Sequence, residues 1–227
     1  MTAPPAPPPD TVLRFSPGVR AVHWTVAALV VVLILTAAVL YNGSLSLAVG
    51  HRHAVELVHV YAGLALPAPF LLGLLSRAFR ADLGRLNRYV PADWSWLRSR
   101  SRRDGTIPVG KFNAGQKLNA ALTAGSLVVL LGTGVLMYFT GLVRLPLRTG
   151  ATFVHDWFAL GLGLLVLGHI YFAVKDRQAL RAMRTGRVSR AWARAEHAAW
   201  AAEIADGTGD LPGDYPTPLV SGGDDRS

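Results

Sequence analysis

Residues 155–169 read HDWFALGLGLLVLGH, two histidines at the ends of a run that is apolar apart from Asp156. If the run is helical, fourteen positions turn the chain by about 1400°, which is about −40° after four full turns. His155 and His169 then point to roughly the same side, about 21 Å apart along the axis. The run sits inside a longer apolar stretch of about 151–174, enough to cross a hydrocarbon layer of ~30 Å. Ionisable side chains inside a membrane span are expensive and usually have a task. What faces these two histidines therefore decides how the chain folds.

Three more apolar stretches lie upstream, at about 21–41, 54–76 and 118–140. The first is longer than the 7–15 residues of a signal-peptide core, so it reads as a mature helix. Hydrophobic residues make up 51% of the 227-residue chain and charged residues only 16%, more apolar than one soluble core of this size needs. The expected fold is an all-α membrane protein, a four-transmembrane-helix bundle that crosses the cell membrane as a multi-pass protein. Of 23 Lys and Arg, only Arg52, Arg144 and Arg148 lie outside the N-terminal arm, the segment from Arg77 to Lys117, and the tail from Lys175. The positive-inside rule then puts both termini and the central segment in the cytoplasm. The net charge of +9 follows from that topology, and nucleic-acid binding is not expected. With no cysteine, thiolate-held iron–sulfur clusters, c-type haem attachment and disulfides are excluded.

Two further histidines fall in the apolar stretches. His23 follows Arg20 at the cytoplasmic start of the first helix, and His59 lies near the outer start of the second. His23 thus faces His169 at the inner level, and His59 faces His155 at the outer level. A b-type haem takes one axial nitrogen from each side, so a bundle with one His from each of two helices at each level suits two haems b, with these four His as axial iron ligands. Gly63, Gly125, Gly132, Gly134, Gly161 and Gly163 would leave room for the macrocycles. A single intramembrane His is often only a hydrogen-bonded packing residue. Four at matching depths, two of them on one face, are harder to explain that way. His51, His53 and His197 are read as interfacial.

The remaining segments are expected to be peripheral. Residues 1–13 begin MTAPPAPPPD and are read as a disordered proline-rich arm preceding the cytochrome domain at 14–175. RADLGRLNRY at 80–89 suggests a short interfacial helix. Residues 176–206 are expected to form an amphipathic cytoplasmic tail helix with Trp192 and Trp200 on one face. The Gly-, Asp- and Pro-rich stretch 207–227 is read as disordered.

Several motifs carry a family resemblance over about 14–204. They are RAVHWT (20–25), HVYAG (59–63), GKFNAGQK (110–117), TGV (133–135), IYFA after His169, and GRVSRAWAR (186–194). The chain resembles the membrane cytochrome b (gamma) subunit of the respiratory formate dehydrogenase family, related to the b-type cytochromes of membrane hydrogenases. The resemblance implies the same pairing, His23 with His169 and His59 with His155. It also implies a quinone site beside the cytoplasmic haem, for menaquinone or ubiquinone, drawing on Asn113, Gly115, Gln116 and His169. Asn and Gln offer paired donors and acceptors for a quinone carbonyl, and Asn113 is equally suited to capping the third helix. Lys117 is a candidate to neutralise a haem propionate or anionic lipid. In the resembling complexes an iron–sulfur electron-transfer subunit and a molybdopterin catalytic subunit supply the substrate chemistry, which this chain has no site for. The family's usual proline after the second-helix His is Val60 here, while Pro67 and Pro69 should kink that helix.

The expectation is therefore an electron-transfer subunit with an iron–sulfur partner at its outer face and a quinone near the cytoplasmic side. A b561-like or hydrogenase-type cytochrome with another donor or direction remains an alternative. So does a His-lined transporter, although only Glu56 and Asp156 come near the spans as carboxylates, both at the outer edge.

Overall fold

The computed structural model describes residues 10–100, 102 and 106–207. The proline-rich residues 1–9 and the terminal stretch 208–227, both expected to be disordered, lie outside the described residues. Chain order begins with a three-residue strand, β1 (Thr11–Leu13), and then α1 (Pro17–Tyr41). Ser16 starts α1 by accepting the Val19 N–H at 3.3 Å, with Pro17 in the first turn, where its missing N–H costs nothing. Asn42 ends α1 and caps α2 (Gly43–Val49) through Leu45 N–H. Gly50, at φ +71°, closes α2.

The second span is broken where the prolines lie. It consists of α3 (Arg52–Ala65) and α4 (Pro67–Gly73). Pro67 cannot donate to the Gly63 carbonyl, and Leu66 N–H takes that acceptor instead at 3.2 Å, tightening the chain by one residue. Two short helices follow, α5 (Arg77–Asn87) and α6 (Pro91–Arg98). The third and fourth spans are α7 (Ala114–Tyr138) and α8 (Leu145–Lys175). α7 starts at 114 rather than about 118, because Asn113 and Gln116 form a reciprocal capping box. α8 starts at 145 rather than about 151, with Pro146 in its first turn. All four spans are long and apolar enough to cross a membrane.

The structure departs from the expected all-α fold and tail helix at one end of the bundle. After α9 (Arg177–Thr185) comes β2 (Arg187–Ser189), which pairs antiparallel with β1. α10 (Arg190–Glu196) and α11 (Ala198–Ala205) follow, so the tail is three short helices and a strand rather than one helix. Residues 11–13 are therefore ordered, unlike the arm they were read with. Three residues are too few for periodicity to register, and β1 exists only because β2 pairs with it.

Two apolar clusters hold the chain. One, around Val30, Leu66, Leu127 and Leu162, fills the bundle midway between the two histidine levels. The other, around Phe15, Phe112, Val188 and Trp200, packs the arm, the central segment and the tail together at one end. Large apolar side chains such as Leu35, Leu72, Leu164 and Phe172 point outward, as lipid contact requires.

Candidate functional site

α1 and α8 bring His23 and His169 together with ring centroids 6.2 Å apart and ring planes at 60°. α3 and α8 bring His59 and His155 to 6.3 Å and 65°. A metal–nitrogen bond is about 2 Å and a ring nitrogen lies about 1.1 Å from its centroid, so two imidazoles sharing one metal in line stand about 6.2 Å apart, centroid to centroid. Both pairs meet that spacing. Among the described residues no group of three or more His, Cys, Asp or Glu could hold a metal ion. Two imidazoles facing each other suit a metal whose other ligands come from a macrocycle. A β-carbon on Gly125, Gly132, Gly161 or Gly163 would meet nothing within 4 Å, and one on Gly134 would stand 3.4 Å from His155 Cε1.

The outer rings have partners that the sequence reading missed. Thr36 Oγ1 of α1 lies 2.8 Å from His59 Nδ1, and Thr133 Oγ1 of α7 lies 2.9 Å from His155 Nδ1. In sequence, a threonine in an apolar helix signals nothing beyond its usual bond to the preceding turn. Its role depends on which ring the neighbouring helix presents.

At the start of α7, Asn113 Oδ1 accepts Gln116 N–H at 2.9 Å, and Gln116 Oε1 accepts Asn113 N–H at 3.0 Å. Both amide oxygens are thus used in capping, which leaves the side-chain NH₂ groups as the donors. Gly115 is where α6 crosses α7. A β-carbon there would stand 3.0 Å from the Trp96 ring. Among the described residues no hydrogen bond joins this group to His169, which is the most open of the four rings. Lys117 is not available for a propionate or a lipid. It is buried and donates to Asp93 Oδ2 at 2.6 Å and to the Arg88 carbonyl at 2.9 Å, fastening α6 beneath α7.

The arm and tail form a buried polar centre near the inner pair. Arg14 lies among Phe15, Trp192 and Trp200, with its guanidinium 4.7 Å from the Trp192 centroid, and burial lowers its pKa to about 10. Its Nη2 donates to the Lys111 carbonyl at 2.8 Å and lies 3.2 Å from His197 Nε2. His197 Nδ1 lies 2.6 Å from the Gly110 carbonyl, so Nδ1 carries the proton and Nε2 accepts from Arg14. His197 is thus a buried structural residue and not an interfacial one. Beside them the half-buried Lys111 is bonded to the buried Asp82. Burial raises the Asp82 pKa and lowers that of Lys111, outweighing their mutual attraction. Trp24 Nε1 donates to the Met183 carbonyl at 2.9 Å, tying the His23 turn of α1 to α9.

Four membrane-spanning helices that bring histidines together in pairs at two depths define a membrane cytochrome of the b type. Comparison with known proteins agrees. Residues 14–186 match the family described as prokaryotic cytochrome b561, and the chain belongs to that family. Membership implies haem b. The chain is 26% identical over 204 residues to the formate dehydrogenase cytochrome b556(fdo) subunit of Escherichia coli K12, covering 86% of this chain and 94% of the relative. It is 33% identical over 99 residues to the nitrate-inducible formate dehydrogenase cytochrome b556(Fdn) subunit of the same organism, covering 42% and 46%. A formate dehydrogenase cytochrome b556 subunit from Haemophilus influenzae is 33% identical over 94 residues, covering 40% of each chain.

Proposed function

We propose that this chain is a di-haem cytochrome b subunit of a respiratory complex of the formate dehydrogenase type. It takes electrons from an iron–sulfur partner at its outer face and passes them to a quinone near the cytoplasmic side. A molybdopterin or other catalytic subunit supplies the substrate chemistry. The observation that carries this reading is the pair of ring spacings, 6.2 and 6.3 Å, at two levels of one bundle. The relatives' near full-length match supports the type of complex.

A haem b at each level supplies one-electron exchange when bound. His23 and His169 hold the inner one, and His59 and His155 the outer one. The uninterrupted helix α8 keeps the levels about 21 Å apart, and the apolar cluster around Val30 and Leu162 excludes water between them. The NH₂ groups of Asn113 and Gln116 and the N–H of Gly115 donate to a quinone carbonyl, with His169 at its side. The excess of Lys and Arg on the arm, central segment and tail supports a cytoplasmic position for that end and both termini, where reduction of the quinone takes up its protons.

The test is a dithionite-minus-air difference spectrum of the purified chain with pyridine haemochrome counting. The expected result is about two haems b per chain, one at each bis-histidine site. A folded, membrane-inserted chain with no haem overturns the reading and returns the histidines to the transporter alternative.

A further inference from the structure

The two histidine levels are built differently. At the outer level each ring has a hydroxyl against its Nδ1, Thr36 for His59 and Thr133 for His155, at 2.8 and 2.9 Å. Each hydroxyl also lies 2.7 Å from a carbonyl one turn back, that of Val32 or Val129. A hydroxyl has one proton, and a carbonyl can only accept. The proton therefore goes to the carbonyl, and the oxygen accepts from the ring. Both outer imidazoles are fixed as Nδ1–H tautomers, with the Nε2 lone pair left to bind. At the inner level neither His23 nor His169 has a hydrogen-bond partner among the described residues.

The arrangement also locks orientation. α1 gives Thr36, α3 gives His59, α7 gives Thr133 and α8 gives His155, so all four spans meet at the outer level. The inner level draws its rings from α1 and α8 only. A ligating imidazole that donates its other N–H becomes a stronger base at the metal, which favours the oxidised ion. With a haem bound there, the outer centre would have a lower potential than the same pair without the hydroxyls.

We propose that Thr36 and Thr133 are positioning residues that orient the outer histidine pair and lower its reduction potential. The proposal rests on the di-haem reading above and adds the residues that tune its outer site.

The experiment is a redox titration of the two b haems in the purified full-length chain, with low-temperature EPR of the oxidised form. It uses Thr36→Val, Thr133→Val and the matching serine variants. Valine is nearly isosteric but has no hydroxyl, and His59→Ala identifies the outer haem by its loss. The expected result is that each valine variant keeps both haems and raises the outer midpoint by about tenfold in the reduction equilibrium, 59 mV for one electron. The outer EPR signal shifts, the inner midpoint stays, and serine restores both. Loss of the outer haem in valine with recovery in serine also supports the proposal. Two haems with unchanged outer midpoint and EPR in the valine variants overturn it, as does a serine variant that behaves like valine. A wild-type chain without haem overturns the di-haem reading itself, a result that haem counting separates from the others.

Discussion

Gly186 lies so close to Phe15 that a β-carbon on it would stand 2.6 Å from the Phe15 carbonyl oxygen. The contact is reciprocal, since the Gly186 carbonyl accepts the N–H groups of Arg14 at 2.7 Å and Phe15 at 3.1 Å. It joins the residues that lead into α1 to those that follow α9. The helices bearing His23 and His169 are thus clamped together at the same end by backbone.

Gly186→Ala is expected to destabilise the protein for two separate reasons. The φ of +83° is costly for any residue with a β-carbon, by about 1 kcal/mol or more, and the clash forces the strands apart. Gly50 has a similar φ, +71°, with nothing within 4 Å. Gly50→Ala should therefore show the conformational cost alone. Thermal unfolding in detergent should rank Gly186→Ala well below Gly50→Ala, with tryptic cleavage between α9 and α10 appearing only in the former. Equal midpoints would show that the clamp carries no strain-sensitive contact.

Single histidine substitutions separate the two levels. His23→Ala should lose the inner haem and quinone reduction while the outer haem remains reducible. His59→Ala should lose the outer haem and block electron entry. Each variant should bind about half the wild-type haem, given one bis-histidine site per haem. Either variant holding both haems with unchanged spectra would show that the pairing is wrong.

Isosteric acids separate the observed capping by Asn113 and Gln116 from their proposed contact with a quinone. Aspartate caps a helix as well as asparagine does, and glutamate serves the capping box as well as glutamine. Asn113→Asp and Gln116→Glu keep the oxygens that bond the backbone and remove the NH₂ donors. Thermal stability should stay within about 0.5 kcal/mol of wild type, as expected for a retained cap. Quinone reduction should fall, chiefly through a higher KM. Unchanged kinetics in both would mean that these amides only cap the helix.

The Asp82–Lys111 pair is expected to cost more to bury than it returns. Asp82 Oδ2 has no hydrogen-bond partner among the described residues, and burial is the largest influence on both groups. Asp82→Ala strands the half-buried Lys111 and should cost up to about 3–5 kcal/mol, whereas Asp82→Asn with Lys111→Met should be neutral or stabilising by about 1–4 kcal/mol. The pH dependence has a definite sign. Because the folded chain holds the Asp82 proton more tightly than the unfolded one, its contribution is fully present below the ordinary value of 3.8. It is lost as pH rises through the raised value. Unfolding midpoints across mildly acidic pH should show that decline in wild type and a shallower one in Asp82→Asn.

The spans and the meeting of the rings were legible because they depend on local regularities. Twenty-odd apolar residues specify a crossing, and a fourteen-residue interval on one helix specifies a shared face. What faced that helix followed from depth alone. The end of the bundle was not legible for the opposite reason. β1 is held by a partner nearly the whole described chain away. Lys117 is answered by Asp93 on another helix, and His197 by a carbonyl and an arginine from two distant segments. Charge and amphipathic spacing suggested surface for these residues, and tertiary pairing put them inside. Thr36 and Thr133 were hidden in another way, since a hydroxyl in an apolar helix is already satisfied by its own backbone.

α8 supplies one ring to each pair, and that has a consequence for how the protein is made. Neither pair exists while only the first three spans have been inserted, and both are completed by the same helix. A nascent chain that has threaded α1, α3 and α7 offers two lone imidazoles and nothing to close on them. On the di-haem reading, cofactor loading would be tied to delivery of the fourth span, and a chain cut short before it would leave the ribosome without a complete histidine pair at either depth.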